Sequence, residues 1–273
     1  MGNRQNSLSS GRDKRKRRAE DGVSRKKSST GRVSDVSVLE ISDDSALSSY
    51  AAASRVTLLS DQFKLCEFPP GGARDSVTVS VMDYKTLEQD TYLNDIIIDF
   101  YLTYLLHTVL SPEERKQVHV FSSMFYKRLT SARNNEDEGL SPSQKMHSRV
   151  KRWTKNLNLF KKELVIVPIC ERSHWYLIII IKPGEIAIDA ESRENGEPLF
   201  LVLDSLESVS GKKSVKNVRH YIKQEWLAKY PGRPEVSFSK KRMKTVRPMK
   251  PEQENFTDCG LFLLHYVEKI FKK

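Results

Sequence analysis

Two runs of β-branched and aliphatic residues, separated by only three residues, constrain the fold of this chain most strongly. The first run is KELVIVPIC (162–170) and the second is HWYLIIIIK (174–182). Runs of this composition with so short a connection predict two adjacent antiparallel strands. A third run, EPLFLVLDSL (197–206), predicts a further strand that leads into a loop at Asp204.

Helical patterns flank these strands. Residues 92–110, YLNDIIIDFYLTYLLHTVL, predict a helix capped by Asn94 or Asp95, and apolar residues on several of its faces indicate that it is central and buried. Two further segments with helical spacing cover residues 146–160 and 216–230. Helices, then a compact group of strands, then a last helix indicate a mixed α+β fold.

Three other segments carry weaker patterns. VTVSVMDYKTL, which begins at Val77, alternates like a strand before a turn. Residues 133–144 predict a polar loop, and Ser239–Pro251 predicts a basic loop punctuated by prolines.

The composition changes near residue 60. Residues 1–60 contain fourteen serines and a single aromatic residue, Tyr50. A segment of this kind cannot bury enough apolar surface to offset the entropy of ordering it, so we expect a disordered tail. Residues 61–273 contain the aliphatic and aromatic residues of a folded domain.

Cysteine usage and basic clusters indicate the compartment. Three cysteines spread along the chain do not form a disulfide framework, and no signal peptide is recognisable. The most apolar helical stretch, 96–110, is shorter than the roughly 20 residues of a membrane span. We expect a reducing compartment and no membrane contact. Lys14–Arg18 and Arg25–Lys27 predict import into the nucleus, with a polyanion-binding arm as the alternative.

The segment QENFTDCGLFLLHYVEK (253–269) contains a candidate nucleophile. Thr257 or Asp258 can cap a helix that has Cys259 in its first turn, where the partial positive charge of the helix N-terminus favours a thiolate. Gly260 leaves room for a substrate backbone to come close. The alternative is a small apolar residue at the start of a core helix.

A thiolate nucleophile needs a histidine, and the histidine needs an acceptor that orients it. His174 begins one predicted strand and Asp204 ends another. If these are antiparallel neighbours, both residues lie at the same edge of the sheet. Gln253, six residues before Cys259, can donate a hydrogen bond to an oxyanion.

The remaining candidates have ordinary interpretations. We expect Cys66 and Cys170 to be buried or half-buried thiols. The other five histidines show no paired spacing typical of metal ligands, so we expect neither a metal nor a cofactor.

Several motifs together resemble one known family. "HW" after a strand, "LDS" after the next strand, and "Q-x5-CG" at the start of a helix occur here in the order found in the SUMO-specific cysteine proteases of the sentrin or Ulp class. Similarity extends to YLNDIIIDFYLTYLL, FSSMFYKRL and HSRVKRWTKNLNLFKKELVIVPI, which look most like the branch that trims poly-SUMO chains. The resemblance covers roughly residues 63–271.

This resemblance implies a papain-like fold and a set of roles. It implies Cys259 as nucleophile, His174 as general base, Asp204 as orienting carboxylate and Gln253 as oxyanion donor.

The resemblance also implies a narrow tunnel with aromatic walls for the C-terminal Gly-Gly of SUMO. Trp175 matches one wall, and Tyr92 stands where many members have tryptophan. Members usually continue past the cysteine helix, whereas this sequence ends at Lys273, so we expect an incomplete domain or one that lacks a terminal element.

Charged and apolar segments outside these motifs suggest partner contacts. The basic runs SKKRMKTVRPMK (239–250) and HSRVKRWTK (147–155) are either solvated surface or a means of attracting acidic SUMO. DVSVLEISDDS resembles a SUMO-interacting motif that adds as a strand to a partner's sheet. Its apolar residues are Val36, Val38, Leu39 and Ile41. No nucleic-acid-binding pattern is found.

Three functions remain in comparison. The leading hypothesis is a nuclear isopeptidase that removes SUMO from lysines and edits poly-SUMO chains. The same chemistry on another ubiquitin-like modifier is the rival enzyme. A catalytically silent SUMO-binding scaffold is the rival of another class.

Overall fold

The computed structural model of the chain describes residues 60–73, 75–133, 136, 138–188, 196–206, 211–233 and 236–273. The predicted tail lies outside the described residues. The same holds for the two basic clusters of the import prediction and for the apolar segment around Leu39.

Two sheets are described. A small antiparallel hairpin is formed by β1 (Lys64–Phe68) and β2 (Val77–Ser80). The main sheet contains, in spatial order, β3 (Val118–Val120), β4 (Leu164–Glu171), β5 (His174–Ile181), β6 (Leu199–Leu203) and β7 (Lys244–Val246). The pairs β4–β5 and β5–β6 are antiparallel, whereas β3–β4 and β6–β7 are parallel. The predicted neighbouring strands are therefore confirmed.

Helices cover both faces of the main sheet. In chain order they are α1 (Val81–Lys85), α2 (Asp95–Thr108), α3 (Pro112–Gln117), α4 (Met124–Thr130), α5 (Pro142–Val150), α6 (Gly211–Lys229) and α7 (Cys259–Phe271). Short 3₁₀ turns occupy Leu159–Lys161 and Pro183–Ala187. Among the helices that the structure describes, none is both long and apolar enough to cross a membrane.

Alternation along β5 divides the core into two layers. Trp175, Leu177 and Ile179 face the cluster that contains the buried residues of α2 and α7. Tyr176 and Ile178 face the opposite cluster, which includes the buried residues of α4 and α6. Because successive side chains of a strand point to opposite faces, a strand that is apolar at every position must be covered on both sides. The uninterrupted apolar run of β5 thus places the sheet between two helical layers.

Helix α2 begins as predicted. The Asn94 side chain accepts a hydrogen bond from the N–H of Ile97, and the helix buries Ile98, Leu102 and Leu105. The first residue of β5 and the N-terminal ends of α2 and α7 lie at one edge of the main sheet. The candidate site is at this edge.

Three predicted segments differ from the structure. The strand that starts at Val77 ends at Ser80, because the Ser80 hydroxyl accepts from the Asp83 N–H and starts α1. The helix expected over 146–160 instead begins at Pro142 and ends at Val150. The expected loop Ser239–Pro251 contains β7, which forms because β6 offers an open edge.

Candidate active site

Cys259 is the first residue of α7 and is almost fully buried, with 1% of its surface exposed. Asp258 occupies the cap position, as expected, but its side chain makes no capping hydrogen bond. Instead, the Asn255 side chain accepts from the N–H groups of Thr257 and Asp258 and shapes the turn before the helix. The N-terminal partial charge of α7 is therefore not offset by a side-chain cap beside the sulfur.

His174 and Asp204 meet at the edge of the sheet that the sequence predicted. His174 begins β5, and Asp204 directly follows β6, its antiparallel neighbour. The Nε2 atom of His174 donates to Oδ1 of Asp204 over 2.7 Å. The Leu206 N–H donates to the same oxygen over 3.1 Å and fixes the carboxylate.

The His174 ring also interacts with the Cys259 side chain. Its second ring nitrogen, Nδ1, is buried and makes no hydrogen bond within the part of the chain that the structure describes. Burial lowers the pKa of His174, but the interactions with Asp204 and Cys259 outweigh burial and raise this pKa to about 9. At neutral pH the imidazolium form of His174 is favoured, which places a positively charged ring beside Cys259.

Gln253 lies on the loop before α7 and is held at both ends of its amide. Its Oε1 accepts from the Ser205 hydroxyl over 2.5 Å, and its Nε2 donates to the Asn255 carbonyl over 2.7 Å. The Gln253 N–H also donates to the Ser205 carbonyl over 3.2 Å. One Nε2 hydrogen is used by Asn255, so the second is available for an oxyanion.

The two predicted tunnel walls differ in exposure. Tyr92 is 46% exposed, whereas Trp175 is 4% exposed. The Trp175 indole N–H donates to the carbonyl of Leu93 over 2.8 Å. In this structure Trp175 supports the loop that presents Tyr92, and their role as tunnel walls stays a prediction.

Gly260 allows a close contact inside the protein that the sequence did not predict. A Cβ at this position would lie 3.0 Å from the Leu93 side chain. That distance is tighter than ordinary van der Waals contact, so the missing side chain lets α7 approach the loop of Tyr92. The close approach of a substrate backbone to Gly260 stays a prediction.

The prediction for the other two cysteines is wrong, because Cys66 and Cys170 are exposed. The pKa of Cys170 is raised to about 11, first by partial desolvation of its sulfur and then by nearby negative charge, including that of Cys259. Cys170 therefore stays a neutral thiol at physiological pH.

The basic runs take part in the fold. His147, Arg149, Arg242 and Lys244 each contact another segment. Their partners are, in that order, Glu225, Glu136, the carbonyls of Ile186 and Ile188, and Glu197. These contacts tie part of both basic runs to the fold, and attraction of acidic SUMO by the remaining charge stays a prediction.

Sequence reasoning missed three residues that hold the site: Ser205, Leu93 and Tyr176. Ser205 was detectable only as the polar residue that follows Asp204. Within the described part of the chain, no group of three or more His, Cys, Asp or Glu side chains could hold a metal ion. The arrangement offers a thiol, an imidazole, a carboxylate and an amide donor.

The comparison with protein families decides the identity of this domain. Residues 91–273 match the Ulp1 protease family, C-terminal catalytic domain. The chain belongs to the Ulp1 protease family.

This Ulp1-family chain has curated relatives in animals and plants. It is 34% identical to sentrin-specific protease 7 of Homo sapiens, with 77% of this chain and 25% of that protein covered. It is 35% identical to the probable ubiquitin-like-specific protease 2A of Arabidopsis thaliana, with 83% of this chain and 29% of that protein covered. The chain thus spans about a quarter of the length of these relatives. The family and branch recognised from the motifs are confirmed.

Solved structures show that this Ulp1-family chain has the expected fold. A crystal structure described as the de-sumoylating protease is 26% identical and has a TM-score of 0.59, with 72% of this chain and 69% of that chain covered. A second structure is the Ulp1 protease domain in complex with Smt3, the yeast ortholog of SUMO. It is 21% identical and has a TM-score of 0.52, with 81% of this chain and 82% of that chain covered. The predicted α+β fold of the Ulp type is confirmed.

Proposed function

We propose that this chain is a SUMO-specific isopeptidase that uses a Cys-His-Asp thiol mechanism. The observation that carries the proposal is the position of Cys259 at the N-terminus of α7 beside His174, whose Nε2 donates to Asp204. Membership of a protease family and similarity to a de-sumoylating protease support it.

Acylation starts from the thiolate–imidazolium pair. The Cys259 sulfur attacks the carbonyl carbon of the terminal glycine of the modifier, and the carbonyl oxygen becomes an oxyanion. The free Nε2 hydrogen of Gln253 stabilises that charge. The His174 imidazolium then gives its Nδ1 proton to the lysine amine, which leaves as the C–N bond breaks. A thioester and a neutral imidazole remain.

Deacylation uses the same residues in reverse. Neutral His174 removes a proton from water, and the hydroxide attacks the thioester carbonyl. Gln253 stabilises the second oxyanion, and the C–S bond breaks to release the modifier as a carboxylic acid, which loses its proton to solvent. The sulfur leaves as a thiolate beside the imidazolium. Asp204 keeps the ring oriented through both steps without itself changing protonation.

The substrate is proposed to be SUMO with its C-terminal Gly-Gly passing between Tyr92 and Trp175. This is supported by the exposed ring of Tyr92 and by the buried indole of Trp175, which donates to the carbonyl of Leu93, the residue next to Tyr92. Exposed Lys240 and Lys241 add positive charge that favours an acidic partner.

The proposed substrate extends to poly-SUMO chains. The apolar segment Val36, Val38, Leu39 and Ile41 would bind one SUMO unit while the active site holds another, so that the second contact becomes intramolecular. Replacing Val38, Leu39 and Ile41 with alanine is expected to raise KM for SUMO chains and leave KM for single-SUMO substrates unchanged. Equal effects on both substrates would count against the segment.

We further propose that the chain acts in the nucleus. The clusters Lys14–Arg18 and Arg25–Lys27 have the two-part spacing of a signal for the nuclear import machinery. A fluorescent fusion of the chain should lose nuclear accumulation when both clusters are changed to alanine.

The test of the activity uses purified chain with two reagents. SUMO dimers report cleavage, and a SUMO probe with a C-terminal electrophile reports covalent capture of Cys259. We expect dimers to become monomers and the probe to add once per chain. The Arabidopsis relative is named as specific for ubiquitin-like proteins in general, which favours another ubiquitin-like modifier as the second candidate substrate. A panel of fluorogenic modifiers separates the two, because faster turnover of a modifier other than SUMO would reject the SUMO assignment.

A further inference from the structure

The turn that presents His174 is tied to a buried polar cluster that the reaction does not use. The cluster consists of Glu171, Tyr176 and Ser214. The Tyr176 hydroxyl donates to Oε2 of Glu171 over 2.5 Å, and the Ser214 hydroxyl donates to the same oxygen over 2.8 Å. The side chains of Tyr176 and Ser214 are almost fully buried, with 1% and 0% exposure. Glu171 itself is half-buried, and a partly shielded carboxylate with two buried hydroxyl donors is a strong local anchor.

The turn itself is under backbone strain. Glu171 pairs directly with His174, so Arg172 and Ser173 form a two-residue hairpin connection. Both have left-handed conformations, with φ of 54° for Arg172 and 61° for Ser173. This geometry favours Asn-Gly, and residues with ordinary side chains adopt it only when other contacts impose it. Glu171 stands at the first corner of the turn and is held by the cluster.

The cluster also reaches the catalytic ring directly. Tyr176 lies two residues after His174 on the same face of β5. The two rings are stacked, with centroids 5.9 Å apart and planes inclined by 21°. The Tyr176 hydroxyl at the far end of this ring donates to Glu171 and lies against the Ser214 hydroxyl, which belongs to α6 and donates to the same carboxylate oxygen. The orientation of the histidine ring is therefore linked to the helical layer behind the sheet.

We propose that Glu171, Tyr176 and Ser214 are positioning residues for the general base. They hold the strained turn and the ring plane of His174, so that Nδ1 faces Cys259 while Nε2 meets Asp204. None of the three touches the reacting atoms. The proposal rests on the proposed function only in naming His174 as the base.

The first test is a matched pair of substitutions. Tyr176→Phe removes the hydroxyl and keeps the ring. Tyr221→Phe makes the same change in the same core, at a hydroxyl that lies 3.4 Å from the Thr154 hydroxyl rather than beside Glu171. The readout is the NMR titration of the His174 ring, assigned with His174→Gln, because it does not depend on cleavage of any substrate.

We expect the titration midpoint of His174 to fall in Tyr176→Phe, because looser placement weakens the contacts with Asp204 and Cys259. It should stay at its original value in Tyr221→Phe. With SUMO substrate, Tyr176→Phe should lower kcat about tenfold and leave KM unchanged, the pattern of a misplaced catalytic group. An unchanged midpoint in Tyr176→Phe, or an equal shift in both variants, would overturn the proposal even if the chain cleaves SUMO.

The second test restores the turn by another route. Arg172→Asn combined with Ser173→Gly introduces a pair that adopts two left-handed residues without strain. When this pair is added to Tyr176→Phe, the titration midpoint of His174 should return most of the way to its value in the original chain. Glu171→Gln keeps an acceptor and should resemble the original chain, whereas Glu171→Ala should resemble Tyr176→Phe. Failure of the Asn-Gly pair to recover the midpoint would reject the part assigned to the turn.

Discussion

The Ser205 hydroxyl donates to Oε1 of Gln253 over 2.5 Å, and the residue before it, Asp204, accepts from His174 over 2.7 Å. Two adjacent residues after β6 therefore orient the base and the oxyanion donor together. A small shift of this dipeptide would displace both groups at once.

Replacing Ser205 with alanine should loosen the amide of Gln253. We expect kcat to fall about tenfold, since the donor loses one of its restraints but is still present. Gln253→Ala removes the donor and should cost roughly 10²–10³ in kcat. If Ser205 acts only through Gln253, adding Ser205→Ala to Gln253→Ala should change kcat little further, which a double-mutant cycle measures. Full additivity would contradict this coupling.

Cys259→Ser should abolish cleavage and preserve binding of SUMO. We expect a loss of more than roughly 10⁴ in kcat, because a serine hydroxyl at this position does not form the thiolate-like nucleophile. Isothermal titration calorimetry should give a Kd close to that of the original chain. Cys170→Ser is the matched control, since Cys170 has a raised pKa and is exposed. It should keep nearly full activity, and turnover by Cys259→Ser near the original rate would exclude this nucleophile.

Asp204→Asn should reduce activity without eliminating it. The acceptor of His174 Nε2 becomes neutral, so the pKa of His174 should fall and the imidazolium should become less populated at neutral pH. We expect a loss smaller than the roughly 10⁴ typical of the same change in a serine protease triad, because a thiolate depends less on the base. Initial rates measured across pH should show the alkaline limb of the profile at a lower pH in Asp204→Asn than in the original chain. His174→Ala should nearly match the loss in Cys259→Ser.

The stability of the chain should depend on His174 over a defined pH window. Its folded pKa is raised to about 9 from an ordinary value of 6.5. A raised pKa means that protonation stabilises the folded state, so the contribution is complete below pH 6.5 and is lost as the pH rises to about 9. We expect the difference in free energy of unfolding between the chain and His174→Gln to shrink over this window in urea titrations.

His220 provides a control, because its pKa is shifted in the opposite direction to that of His174. Burial, followed by the charges of Lys216, Lys223 and Arg219, lowers its pKa from 6.5. Its contribution to stability is therefore present above pH 6.5 and is lost as the pH falls. The difference in free energy of unfolding between the chain and His220→Gln should become smaller as the pH falls. The same pH trend in both variants would contradict the assignment for His174.

Gly260→Ala should disturb the contact between α7 and the loop of Tyr92. The new Cβ would lie 3.0 Å from Leu93, and overpacking of this kind costs about 1–3 kcal/mol. We also expect a raised KM, since Leu93 fixes the residue next to Tyr92. Leu261→Ala, at a position that is 50% exposed in the same helical turn, should change stability by less than about 0.5 kcal/mol. Comparable destabilisation by both variants would reject the role of Gly260.

Long and strongly patterned segments were predictable from the sequence. The strands β4, β5 and β6 follow from apolar runs, and α2, α6 and α7 follow from helical spacing. Short elements such as α1 and β7 were not, because five and three residues are too few for a period to be recognised. They form where a cap or a free strand edge is supplied by neighbouring structure.

The sequence by itself predicted the candidate site residues and the edge of the sheet where His174 and Asp204 meet. An apolar run covered on both faces fixes β5 in the centre, and antiparallel pairing then brings His174 to Asp204. Only the tertiary structure decided how these groups are held. Ser205 meets Gln253 across 48 residues, and Tyr176 meets Ser214 across 38. Hydrogen bonds are short and directional, so such contacts exist only after the sheet and helices have packed, and no local pattern encodes them.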